Sequence, residues 1–234
     1  MAPTLHENNI FGPRFIAGWV FFTAAAGFVN AAALMAGNNV VSHVTGSVTA
    51  FATDPSIALR IGLVVGAFVL GGVLSVLAKE TLSSWMAYVI PPAAASLVLV
   101  AIGALGRAGF FGEFGGDNDV KGHAFPMLAL LAIAMGMLNA AVGAATANRI
   151  RVTHLTGPLT DLAGHIVRGE TSWAALRLAK LAAFVGGAAL AAKLSRSLEF
   201  EMFGVGAALL VIAVALTGVP ARSDELADAS AHAQ

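Results

Sequence analysis

The sequence predicts an all-α membrane protein: six transmembrane helices forming two inverted-topology three-helix repeats, each with a broken or re-entrant element. Three observations lead there. With 58% hydrophobic residues, 11% charged residues and a mean hydropathy of +0.82, a soluble domain of this length would lack the polar surface to cover itself. Six windows are apolar for long enough to cross a hydrocarbon core of roughly 30 Å at ~1.5 Å per residue. One polar signature occurs twice, once in each half.

The spans are expected at 15–36, 57–78, 85–105, 125–147, 173–194 and 202–219. Residues 1–14 form a polar N-terminal segment. Ala24-Ala25-Ala26 resembles a cleavage site, but the preceding segment contains Glu7 and a single Lys or Arg, and the apolar run continues past the alanines, so 15–36 is read as a helix. The first repeat is 15–105. Residues 106–124, rich in Gly, Asp and Asn with Arg107, Glu113 and Lys121, read as a hydrophilic linker. The second repeat is 125–219, and 220–234 reads as a disordered tail. Three crossings per half return the chain to the opposite side, so the second half would be inserted upside down.

The first copy of the signature runs Gly27-Phe28-Val29-Asn30, then Ser42-His43-Val44-Thr45-Gly46-Ser47-Val48-Thr49. The second runs Gly136-Met137-Leu138-Asn139, then Thr153-His154-Leu155-Thr156-Gly157-Pro158-Leu159-Thr160. The asparagines are 109 apart (139 − 30) and the histidines 111 (154 − 43), so the second copy carries a two-residue insertion. Residues 40–44 and 150–155 alternate as extended backbone does. Residues 47–53 and 158–167 read as short helices, and Pro158 suits a first helical turn. Extended backbone running into a short helix is tolerated at membrane depth only where protein or a water-filled cavity surrounds it. The free N–H groups of such a half-helix favour an anion.

Six apolar spans, Gly-x-x-Asn in the first and fourth, and His-Val-Thr-Gly and His-Leu-Thr-Gly after them resemble the YoaK-like family of small bacterial inner-membrane proteins. In that family the matching positions commonly read Gly-x-x-Asp or Asn and Met-Thr-Gly-Asn or Val-Thr-Gly-Thr. The Thr-Gly pairs fall on Thr45-Gly46 and Thr156-Gly157, while this chain has Ser47 and Pro158 after the glycines and His43 and His154 before them. The resemblance spans 15–219. It implies a multi-pass protein of the bacterial inner membrane.

The candidate substrate-binding residues are Asn30, Ser42, His43, Thr45, Gly46, Ser47, Asn139, Thr153, His154, Thr156 and Gly157. Each also has a plainer reading. Asn30 and Asn139 hydrogen-bond across helices or contact solute. His43 and His154 cap carbonyls in a bend, or act as ionisable groups at membrane depth. Thr45 and Thr156 cap half-helices. Gly71-Gly72 and Gly186-Gly187, 115 apart (186 − 71), favour close helix packing. Arg177 and Lys180 share one helical face; snorkelling to the interface is favoured over holding an anion. Arg149 and Arg151 read first as cytoplasmic-side charges.

With the N-terminus inside, six Lys or Arg (Arg14, Lys79, Arg149, Arg151, Arg168, Arg222) lie inside and four (Arg107, Lys121, Lys193, Arg196) outside, which favours both termini in the cytoplasm. No Cys is present, which removes disulfides and thiolate chemistry. Zero net charge without a basic cluster removes nucleic acid as a partner. No cofactor or metal spacing occurs, and Ser42 and His43 are adjacent, so in extended backbone they point apart and make no hydrolase pair. The expected function is that of a transporter or facilitator for a small polar or anionic solute in a lipid bilayer, with a central site from both repeats. The alternative is a non-transporting scaffold or signalling protein, dimeric through its Gly-rich faces.

Overall fold

The computed structural model describes residues 10–42, 55–115, 124–153 and 156–217, which are helices and turns with no strand among them. The helices are α1 (Pro13–Gly37), α2 (Pro55–Thr81), α3 (Ser84–Arg107), α4 (Phe125–Ala145), α5 (Thr156–Val167), α6 (Thr171–Leu198) and α7 (Met202–Thr217). A 3-10 turn, Glu199–Glu201, joins the last two. The expected short helix at 47–53, and His43, Thr45, Gly46, Ser47 and His154, lie outside the described residues, as does the tail.

Among the described residues five helical stretches are long and apolar enough to cross a membrane. The fifth, Thr171–Thr217, contains two of the six expected spans. They are divided at Glu199, whose φ of 46° leaves the helical region. The other helices outrun their apolar windows at one or both ends, because polar residues extend a helix into the headgroup region at no hydrophobic cost. The exception is α4, which stops at Ala145, two residues short of 147. Ala147 and Asn148 there adopt left-handed backbone (φ 48° and 61°). The first copy turns through a single left-handed residue, Asn38 (φ 52°), so the two-residue insertion is absorbed in the turn after α4.

Contacts between helix ends give the path of the chain. Gly18 in α1 meets Thr217 at the end of α7, and Gly206 near the start of α7 meets Phe28 and Val29, so these helices run antiparallel. Helix α3 is also antiparallel to α7: Tyr88 donates to Thr217 Oγ1 (2.6 Å) at one end, and Gly103 and Gly106 lie on Phe200 at the other. Helix α4 begins where α1 ends, with Gly37 against Ala124, Met127 and Leu128. Helix α6 begins where α1 begins, with the Phe11 and Trp173 rings edge to face at 4.7 Å. The expected linker is partly core: α3 continues to Arg107, and Phe111 is buried beside Phe200.

Two tight crossings hold the bundle. A side chain on Gly27 would start inside the carbonyl of Phe184, and one on Gly187 inside that of Ala24. In the same way Gly71 faces the carbonyl of Ile133, and Gly136 that of Phe68. In each case a glycine Cα–H points at a carbonyl oxygen, a weak contact that recurs where helix backbones touch. The first helix of each half thus crosses the long second helix of the other. The crossings pair Gly71 with Gly187, 116 apart (187 − 71), one residue off the register that the doubled glycines suggest; Gly186 has open space.

Helices α1 and α4 are the centre, buried on most faces and accordingly apolar all round. Helix α2 is peripheral and turns Leu63, Leu70, Val73, Leu74 and Leu77 outward. A continuous aliphatic stripe of that size is a lipid-facing surface.

Candidate functional site

The first copy is organised by Asn30, buried on α1. Its Nδ2 donates to the Ala26 carbonyl (3.0 Å) and to Ser42 Oγ (2.6 Å). Its Oδ1 accepts from the backbone N–H groups of Val41 (3.3 Å) and Ser42 (3.1 Å). The whole amide is thereby committed, and the segment leading into the signature is fastened back onto the C-terminal part of α1, seven residues before its end. The structure brings Asn30 and Ser42 together. Residues 41–42 and 152–153 are bends, not the alternating extended backbone the sequence suggests; bent backbone has no regular partners for its N–H groups, and here the side-chain oxygen of Asn30 takes the place of water.

The second copy is built differently. Thr146 holds its turn: Oγ1 donates to the Val142 carbonyl (2.8 Å) and accepts from Ile150 N–H (3.1 Å). Asn139 and Thr153 are both buried, but among the described residues Oδ1 of Asn139 is enclosed without a hydrogen-bond partner, unlike that of Asn30. The expected short helix is α5, beginning at Thr156, with Pro158 in its first turn. Gly157 has open space where a side chain would stand.

The residues that sequence reasoning placed at the interface are inside. Arg177 is 8% exposed and Lys180 1%. Neither snorkels. Arg177 donates to the Arg149 carbonyl (3.1 Å), pairs with Asp161 of α5 at 3.4 Å and lies over the Trp173 ring. Lys180 donates to the Arg151 carbonyl at 2.7 Å. The two cations thus grip, by its backbone, the segment that leads into the second signature. The side chain of Arg151 is exposed and bonds Asn148. Among the described residues no carboxylate pairs with Lys180, and the Arg177 Nε is buried with no partner. Their spacing three apart in the first turns of a helix was the available signal; what faces them comes from about a turn of chain far off in sequence.

At the corner between α5 and α6, Glu170 accepts from Arg168 Nε (2.7 Å) and pairs with His165, whose ring stacks on Trp173 at 5.7 Å. The hydrogen bonds from Arg168 and then His165 hold the Glu170 carboxyl at about 2, and Glu170 in turn raises the Arg168 guanidinium. Gly169 makes the corner at φ 70°.

At the opposite end of the bundle a surface pocket of about 550 Å³ is lined by Arg107, Glu113, Phe114, Glu199, Phe200 and Glu201. None of the candidate residues lines it. Among the described residues no group of three His, Asp or Glu side chains is placed to hold a metal ion.

Searches of the curated proteins and of the solved structures return no match to the chain. The profile of a family described as protein of unknown function (DUF1275) matches residues 18–216, which contain all seven helices except the first turn or so of α1 and its last residue in α7. With both signatures, both glycine crossings and the buried cations inside the matched region, the chain belongs to the DUF1275 family.

Proposed function

We propose that this protein is a transporter or facilitator for a small polar or anionic solute, built from two inverted three-helix halves with the solute site between them. The observation that carries the reading is the exchange of equivalent contacts: Gly27 with Gly187 and Gly136 with Gly71 cross the first helix of each half over the second helix of the other. A duplicated unit inserted in opposite senses is a recurrent design for alternating access, with broken elements at the repeat interface. The directions of the helix ends support inversion, since α4 starts where α1 finishes and α6 where α1 starts. The Asn30 clamp and the Arg177–Lys180 grip support non-helical backbone held inside the bundle, which membranes tolerate only around protein or water. The YoaK-like resemblance is consistent with the family membership, and the bacterial inner membrane with both termini cytoplasmic is the location we propose.

The purified full chain should be tested for thermal stabilisation across a panel of neutral metabolites, cations and anions. A solute that binds the folded state raises the melting temperature with concentration. Stabilisation by at least one small solute is expected; no response to any would move the protein to the scaffold reading.

A further inference from the structure

We propose that Arg177 and Lys180 hold a monoanionic oxygen group, so that the charged half of the solute site belongs to the second repeat alone. The inference rests on the solute-path reading above and specifies its ligand and its asymmetry. Three residues apart on α6, the two side chains share a face, and both reach the same segment through the carbonyls of Arg149 and Arg151. Lys180 uses one N–H there and has two more. Arg177 directs one terminal nitrogen to Arg149 and Asp161 and leaves a buried Nε–H with no acceptor among the described residues.

The charges do not balance. Two enclosed cations face one carboxylate, Asp161, which is itself half exposed, leaving one positive charge over among the described residues. A buried cation without a counter-charge costs several kcal/mol, and a monoanion with accepting oxygens supplies both the missing charge and the missing acceptor. Approach is from the surface: Gly157, one turn before Asp161 on the same face of α5, is exposed, with no atom within 4 Å of where a side chain would stand. At the equivalent positions the described residues of the first half carry no cation. Counting back by the 116 residues that separate Gly187 from Gly71, Arg177 and Lys180 correspond to Ile61 and Val64, both buried and apolar. Equivalent folds with unequal charge bind one anion, on one side.

The full chain, purified in neutral detergent, is titrated with sodium formate and sodium nitrate against sodium chloride at equal ionic strength, and separately with phosphatidylglycerol, whose phosphodiester carries the same chemistry. A saturable rise in melting temperature is expected with an oxyanion beyond that with chloride. A rise with phosphatidylglycerol alone assigns the same site to a lipid headgroup. Lys180→Gln should abolish the rise while being at least as stable as wild type in chloride, whereas a merely structural lysine would lower stability equally in every salt. Arg177→Lys keeps the charge but lacks Nε, and should weaken the apparent affinity at least tenfold; it decides the matter if Lys180→Gln does not fold. Wild type indifferent to all four additives, or a rise unchanged in these variants, overturns the proposal. Oxyanion binding without flux of any solute leaves it standing and overturns the transport reading. Flux of a solute unaffected by Lys180→Gln does the reverse.

Discussion

Gly187 lies so close to Ala24 that the carbonyl oxygen of Ala24 occupies the place of a side chain, and three residues away on each helix Phe184 does the same to Gly27. No side chain fits at either glycine without moving a helix backbone. Gly27→Ala, Gly187→Ala, Gly71→Ala and Gly136→Ala should each lower stability by about 1–3 kcal/mol, the usual range for overpacking a tight interface. Gly186→Ala, with open space, should be neutral or slightly stabilising, because alanine is the better helix former by up to ~1 kcal/mol. Thermal unfolding of the five variants in one detergent checks the contrast.

The two asparagines should not behave alike. Asn30→Leu strands the N–H groups of Val41 and Ser42, each costing about 1–3 kcal/mol when buried unpaired. Asn139→Leu removes an oxygen that already has no partner, and should cost less or nothing. Ser42→Ala loses one hydrogen bond, about 1 kcal/mol. Equal losses at Asn30 and Asn139 would contradict the description of the first as a clamp.

The corner at Glu170 carries a pH signature. Its folded-state carboxyl is lowered to about 2 from an ordinary 4.5, so its stabilisation is fully present above 4.5 and is lost as the pH falls toward 2. Glu170→Gln should be insensitive over that window at this corner. Hydrogen exchange of residues 165–171 at pH 5 and pH 3 reads it: wild type should open more at pH 3, and the variant should not change.

The proposed inversion of the two halves makes a topological prediction. Single cysteines replacing Asp54 and Arg168, in a chain that has none of its own, should be labelled from opposite faces of the membrane, Asp54 from the periplasm and Arg168 from the cytoplasm. Labelling from one face would contradict the inverted arrangement.

The helices were legible because a bilayer imposes a single demand, an unbroken apolar run, and each run shows it without reference to anything else in the chain. The duplicated signature was legible as repetition. The choice between Gly71 and Gly72 was not, since both stand in the same apolar run and only the neighbouring helix decides which one touches. Arg177 and Lys180 were misread as snorkelling because helical periodicity gives a face and not its surroundings. The carbonyls they bind belong to residues 28 and 29 positions earlier. The role of Asn30 depended likewise on a segment folding back 11 and 12 residues later, a contact that hydropathy does not encode.

The most direct test of the central claim is exchange of labelled solute across proteoliposomes that contain the purified chain. Counterflow of at least one small polar solute or monoanion above protein-free vesicles is predicted, reduced by Gly157→Leu, which puts a bulky side chain at the exposed start of α5, where no atom lies within 4 Å. A folded, correctly inserted protein that exchanges no solute faster than bare lipid would contradict it.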